Sequence, residues 1–225
     1  MALKRVVSRR SSVVGHERMK KGFTLIELLI VIGILAILAT TVVLVLNPAQ
    51  ILAESRDTQR VSDLGSVQSA VGLMLATDST IPDFANQPRC TITGCTSAGT
   101  PTTCGGFTNT DASVGGTAVA CVVPAAADMR KIEGSGWVGI DLSGTSGGST
   151  LANLPMDPTN STSYYYAYIS SQAGAGTTYE IDARLESTKL RGNMTTDGGD
   201  DNTCTGSYVD TTCWYEVGSE PGLDL

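Results

Sequence analysis

The sequence is poor in imidazole, aromatic rings and charge: one histidine, three phenylalanines, two tryptophans and 16% charged residues in 225 positions. The lone His16 lies in a basic N-terminal stretch, so a chain shortened past it has no imidazole. Histidine-based catalysis and histidine metal sites are then excluded. The six cysteines contain no C-x-x-C pair, which leaves a zinc site without its usual spacing. No S-x-x-K places a serine nucleophile beside Lys131 or Lys189, and carboxylate pairs among 22 acids read as surface solubility. The chain is expected not to be an enzyme.

The net charge of −7 hides an asymmetry. Residues 1–22 carry seven basic side chains and one acid, whereas residues 23–225 carry 8 basic and 21 acidic ones. A body this acidic repels a phosphate backbone, so direct nucleic-acid binding is not expected.

Residues 23–46 form an apolar run with a single charge, Glu27. As a helix rising about 1.5 Å per residue the run reaches roughly 36 Å, enough to cross a hydrocarbon core of about 30 Å. Arg18, Lys20 and Lys21 precede it, and the positive-inside rule keeps them cytoplasmic and the acidic body outside. An ordinary signal peptide has an apolar region of about 7–15 residues followed by a small-x-small cleavage site. This run is longer. An acid within it costs on the order of 2.5–3.5 kcal/mol at mid-bilayer, so Glu27 calls for a partner or a function.

The decapeptide Gly22-Phe23-Thr24-Leu25-Ile26-Glu27-Leu28-Leu29-Ile30-Val31 resembles the class III signal of type IV pilins and pseudopilins. The resemblance implies cleavage between Gly22 and Phe23 by a prepilin peptidase, N-methylation of Phe23, and retention of the apolar helix as a polymerisation stem. It implies that Glu27 pairs with the new α-amine of a neighbouring Phe23 during docking. Other implied partners are further copies of the chain, membrane lipid, an assembly ATPase and a platform protein. Met19-Lys20-Lys21-Gly22 suffices as a short leader, and initiation at Met19 is expected.

The expected organisation is a basic leader over 1–22 that is removed, a membrane-spanning and filament-core helix over 23–47, an amphipathic helix over 48–76, and a disulfide-stapled β-rich head over 77–225. Pro48 lacks a backbone donor and should interrupt the helix near Asn47. Beyond it Ile51, Leu52, Val61, Leu64, Val67, Val71 and Met74 or Leu75 form an apolar stripe, with Arg56, Asp57, Gln59, Arg60 and Asp63 on other faces. From Thr77 onward lie 20 of the 25 glycines. Strands are predicted over 137–142, 164–170 and 179–185, the last two as an antiparallel hairpin. The fold class is α+β, a long N-terminal helical stem packed on a C-terminal antiparallel sheet, as in pilin-like proteins.

Six cysteines in an exported head fit a disulfide framework. Cys204 and Cys213 enclose eight residues and are the expected pair; Cys90, Cys95, Cys104 and Cys121 leave three pairings open. Asp197, Asp200 and Asp201 fall in a glycine-containing acidic run, where flexible carboxylates can wrap calcium. The run lacks the EF-hand alternation. Calcium is the one cofactor considered. The expected function is a structural subunit of a type IV pilus-like filament used for adhesion or motility. The alternatives are a pseudopilin of a type II secretion or DNA-uptake machine and, of another class, a membrane-anchored binding module that never polymerises.

Overall fold

The chain divides into two units, Met1–Asn47 and Pro48–Leu225. The computed structural model describes residues 22–77, 88–92, 122–144, 148–171, 178–199, 204 and 213–219. The leader up to residue 21, Met19, Cys95, Cys104, Cys121, Asp200, Asp201 and the connector over 172–176 lie outside the described residues.

The described residues of the first unit hold one helix, α1 (Leu25–Leu46), whose described side chains are exposed. It is apolar on all sides, with a mean hydropathy of 2.7 over Leu25–Val43. A helix of this kind is buried in a core, a membrane or an assembly. Thr40 and Thr41 donate their hydroxyls to the Ala36 and Leu38 carbonyls at 2.7 and 2.8 Å. These bonds satisfy the hydroxyls within the helix. α1 ends at Asn47, whose φ of +41° is left-handed. Asparagine tolerates that region, and the residue before a proline is pushed out of the right-handed helical one.

In the second unit α2 (Pro48–Thr77) precedes a four-stranded antiparallel sheet. Its strands are β1 (Arg89–Cys90), β2 (Tyr166–Ser171), β3 (Thr178–Ala183) and β4 (Tyr215–Gly218), in the order β1-β2-β3-β4. Tyr168 faces Ile181 across β2 and β3, and Ile181 faces Val217 across β3 and β4. The α+β arrangement of helices followed by an antiparallel sheet is therefore present.

Strand alternation splits the sheet into two faces. Tyr166, Tyr168, Tyr179, Ile181 and Ala183 pack with Leu64, Val67, Ala70, Val71 and Met74 of α2 to form the main core. On the other face Tyr165, Ala167 and Ile169 join Cys90, Ile92 and Trp214. Burying each large apolar side chain contributes roughly 1.5–3 kcal/mol, so the α2 stripe is the principal tie between helix and sheet.

Two sequence expectations need correction. The 137–142 segment is not a strand; it is a buried, turn-rich segment whose Asp141 forms an isolated bridge with Glu133. Trp137 donates its backbone N–H to the Met129 carbonyl and its indole N–H to the Pro155 carbonyl, at 3.2 and 2.9 Å. Glycines explain the turns: Gly134 has φ +75°, and a side chain at Gly136 would collide with the Lys131 carbonyl and Leu154. The second correction concerns α2, where Ile51 and Leu52 are exposed whereas Asp57 and Arg60 are fully buried.

Candidate functional site

The stem terminus is built by a capping box. Thr24 is the N-cap of α1 in an extended conformation, and its hydroxyl accepts the Glu27 N–H at 3.2 Å. The Glu27 carboxylate reaches back and accepts the Thr24 N–H at 3.1 Å and the Thr24 hydroxyl at 3.0 Å. Two donors that the first helical turn leaves without partners are thereby satisfied, and the carboxylate sits at the positive end of the helix dipole. Immediately before the box, Phe23 is 85% exposed. Among the described residues nothing lies within 4 Å of where a Gly22 side chain would be. Gly22 and Phe23 thus lie in the exposed segment just before the helix, Glu27 lies in its first turn, and Thr24 is the residue that holds Glu27.

A second constellation, built around Asp57 and Arg60 of α2, lies in the second unit. Arg60 is fully buried and reaches three carboxylates. Its Nη1 lies 2.8 Å from Asp57 Oδ1, its Nε 2.6 Å from Asp157 Oδ2, and its Nη2 2.6 Å from Glu186 Oε1. Arg56 Nε donates to Glu186 Oε1 at 2.9 Å, and Tyr164 stacks its ring 5.0 Å from the Arg60 guanidinium carbon.

The carboxylates also anchor backbone. Asp57 accepts the Glu186 and Ser187 N–H groups at 2.8 and 2.6 Å, and Asp157 those of Thr159 and Asn160 at 2.7 and 2.9 Å. Burial alone would lower the Arg60 pKa, but pairing with Asp157, Glu186 and Asp57 outweighs it and the pKa rises. Burial likewise pushes Glu186 up, and Arg56 and Arg60 pull it down further, to a net value below the ordinary one. Every member has a partner, which is the condition under which buried charge is tolerated. The network joins α2 to two loops.

Asp197 is half-buried, and burial raises its carboxyl pKa. Its oxygens accept the Glu216 N–H at 3.0 Å and the Gly199 N–H at 3.3 Å, so it ties the acidic loop to β4. The carboxylates that the structure brings together are different ones. Glu180, Asp182 and Glu216, all buried, place one oxygen each within 4.8 Å of one another on the sheet face away from α2. Asp182 and Glu216 stand directly opposite in the β3–β4 register. Arg184, on the same face by alternation, lies 4.0 Å from the Trp214 ring. These three carboxylates are the described residues close enough to share one metal ion.

Cys204 and Cys213 are joined by a disulfide, and Cys90 is disulfide-bonded. Gly144-Thr145-Ser146-Gly147-Gly148 spells G-x-S-x-G, which demands a strand-to-helix elbow and a histidine later in the chain. The residues before it, 141–143, lie in a bridge and a turn, and the one histidine is His16.

Residues 18–43 match the family model described as the prokaryotic N-terminal methylation motif. No curated protein and no solved structure matches the chain. The matched motif is the class III signal of type IV pilins and pseudopilins, and it opens a chain whose apolar N-terminal helix, long second helix and C-terminal antiparallel sheet fit a pilin-like layout.

Proposed function

We propose that this chain is a structural subunit of a type IV pilus-like filament used for adhesion or motility. A prepilin peptidase cleaves it between Gly22 and Phe23, and the subunit waits as a single-pass membrane protein with its head outside. An assembly ATPase and platform protein then draw it into the filament, where α1 packs against α1 of other copies. The observation that carries this reading is a helix of 22 residues, apolar on every side and exposed, whose one charge sits at its N-terminal turn beside an accessible Gly22–Phe23 peptide. Such a helix needs lipid before assembly and like helices after it.

The test is to image surface filaments on cells and ask by mass spectrometry whether this chain is their bulk component. Loss of filaments on deleting the chain supports the reading. Filaments unchanged by the deletion refute it. Calcium binding at the head is a separate proposal, supported by Asp197 and by the proximity of Glu180, Asp182 and Glu216. Calorimetry with calcium alone should show binding and a raised melting temperature, both reduced by Asp200→Ala; if millimolar calcium changes neither, the proposal is refuted.

A further inference from the structure

Two triplets in the sequence, Asn160-Ser161-Thr162 and Asn193-Met194-Thr195, have the N-x-S/T spacing of an N-glycosylation acceptor with no proline at the middle position. The structure separates them. Asn160 is half-buried and left-handed at φ +41°, its Oδ1 accepts the Thr91 hydroxyl at 2.7 Å, and its Nδ2 donates to the Thr91 carbonyl at 3.0 Å. Its amide is engaged in fastening its own loop to the residue that follows β1.

Asn193 lies in a five-residue 3₁₀ turn, Arg191–Thr195, where both it and Thr195 are exposed. Between them Met194 is buried with Leu185 and Cys213, and its Sδ accepts the Leu185 N–H at 3.3 Å. The buried thioether anchors the turn and leaves the two flanking side chains in solvent. Asn193 is held by backbone: its N–H donates to the Leu190 carbonyl at 2.9 Å and its carbonyl accepts the Thr196 N–H at 3.1 Å. The Asn193 side-chain amide takes no hydrogen bond among the described residues. A side chain added at Gly192 or Gly198, on either side of it, would meet nothing within 4 Å among them.

We propose that Asn193 is a glycan attachment site on the head, with a lipid pyrophosphate-linked oligosaccharide as the donor. Asn193 Nδ2 attacks the anomeric carbon of the donor. A C–N bond forms as the C–O bond to the pyrophosphate breaks, the lipid pyrophosphate leaves, and the amide gives up one proton. The inference goes beyond the filament reading and takes one element from it, the head's place outside the membrane, where surface glycans belong. The glycan would set a bulky, hydrophilic cover over the turn that packs against the Cys204–Cys213 disulfide.

The full-length chain is purified from the envelope of the cells that make it, and its peptides are mapped by mass spectrometry. The expected result is a saccharide mass on the peptide containing Asn193 and none on the peptide containing Asn160. Asn193→Gln and Thr195→Ala should each remove that mass completely, since one lacks the acceptor and the other the hydroxyl of the triplet, whereas Thr195→Ser should retain it. Thr162→Ala breaks the other triplet without touching the bonds between Asn160 and Thr91, and should change nothing. An unmodified Asn193 in the parent chain overturns the proposal, as does a saccharide mass that survives Asn193→Gln and so sits on a hydroxyl. The N-terminus of the same sample decides the filament reading separately. A glycan on a chain that still begins at Met1 or Met19 sustains the site and refutes that reading, and a bare Asn193 on a chain that begins at Phe23 refutes the site alone.

Discussion

The stem and the head treat charge in opposite ways. Over Leu25–Leu46 the chain exposes apolar side chains on every face and carries one carboxylate, held by a neighbour one turn away. The head encloses Asp57, Arg60, Asp157, Glu180, Asp182, Arg184 and Glu216. In Arg60 it pairs a guanidinium with Asp157, 97 residues away in sequence, and with Glu186, farther still. The stem's interactions are left for other molecules, and the head's are completed within itself. On the filament reading the stem serves assembly, whereas the head fixes its own shape. Damage to each should be read out by different measurements.

The largest expected break is in the head. Arg60→Ala leaves Asp57 and Asp157 buried beside an empty space, and removing one partner of a buried ion pair costs about 3–5 kcal/mol. Thermal denaturation of the head signal should show this loss while the α1 sequence still inserts into membranes. Retained stability would return Arg60 to an ordinary surface charge. Next comes the Cys204–Cys213 disulfide, which closes a loop of sequence separation 9. Replacing both cysteines by serine should cost about 2–3 kcal/mol in the chain-entropy account, checked by denaturant unfolding.

Acid sharpens the contrast. The Glu186 carboxyl lies below its ordinary 4.5 in the folded state, because Arg56 and Arg60 outweigh its burial. Its contribution is full above that value and drains as pH falls below it. Asp197 runs the other way: burial raises its carboxyl above the ordinary 3.8, so protonation there favours the folded state. Melting temperatures should therefore hold from about pH 7 down to the ordinary glutamate range and then fall, with a shallower fall in Glu186→Gln. A profile unchanged by Glu186→Gln contradicts the network as the acid-sensitive element. The smallest effect belongs to Leu52→Ser on the exposed start of α2, expected within about 0.5 kcal/mol by the same denaturation assay.

The same contrast explains what could be read in the sequence. α1 was legible because its signal is local: an unbroken apolar run, a lone Glu27 and a preceding Gly22-Phe23 need no distant partner to be recognised. Its end at Asn47 followed from Pro48. Thr24 as the holder of Glu27 was also within reach, since T-x-x-E before an apolar run is the capping-box spacing. Asp57 and Arg60 read by residue type as lying off the apolar stripe, although their spacing continues the buried series Leu64, Val67, Val71 and Met74 back along the helix. Period carried more information than polarity there. Their partners Asp157 and Glu186 could not have been named, because only the fold brings them near. The 137–142 segment looked like a strand from its apolar residues, but Gly134, Gly136 and Gly139 space them at turn intervals. β4 has four residues, too few for alternation to register.

The most direct test of the account is the intact mass and N-terminal sequence of the protein taken from the envelope of cells that process it. The account predicts a chain that begins at Phe23, carries a methyl group on its α-amine and retains residues 23–46. A chain still beginning at Met1 or Met19, or one cut beyond Leu46, would contradict the claim that α1 is a retained polymerisation stem.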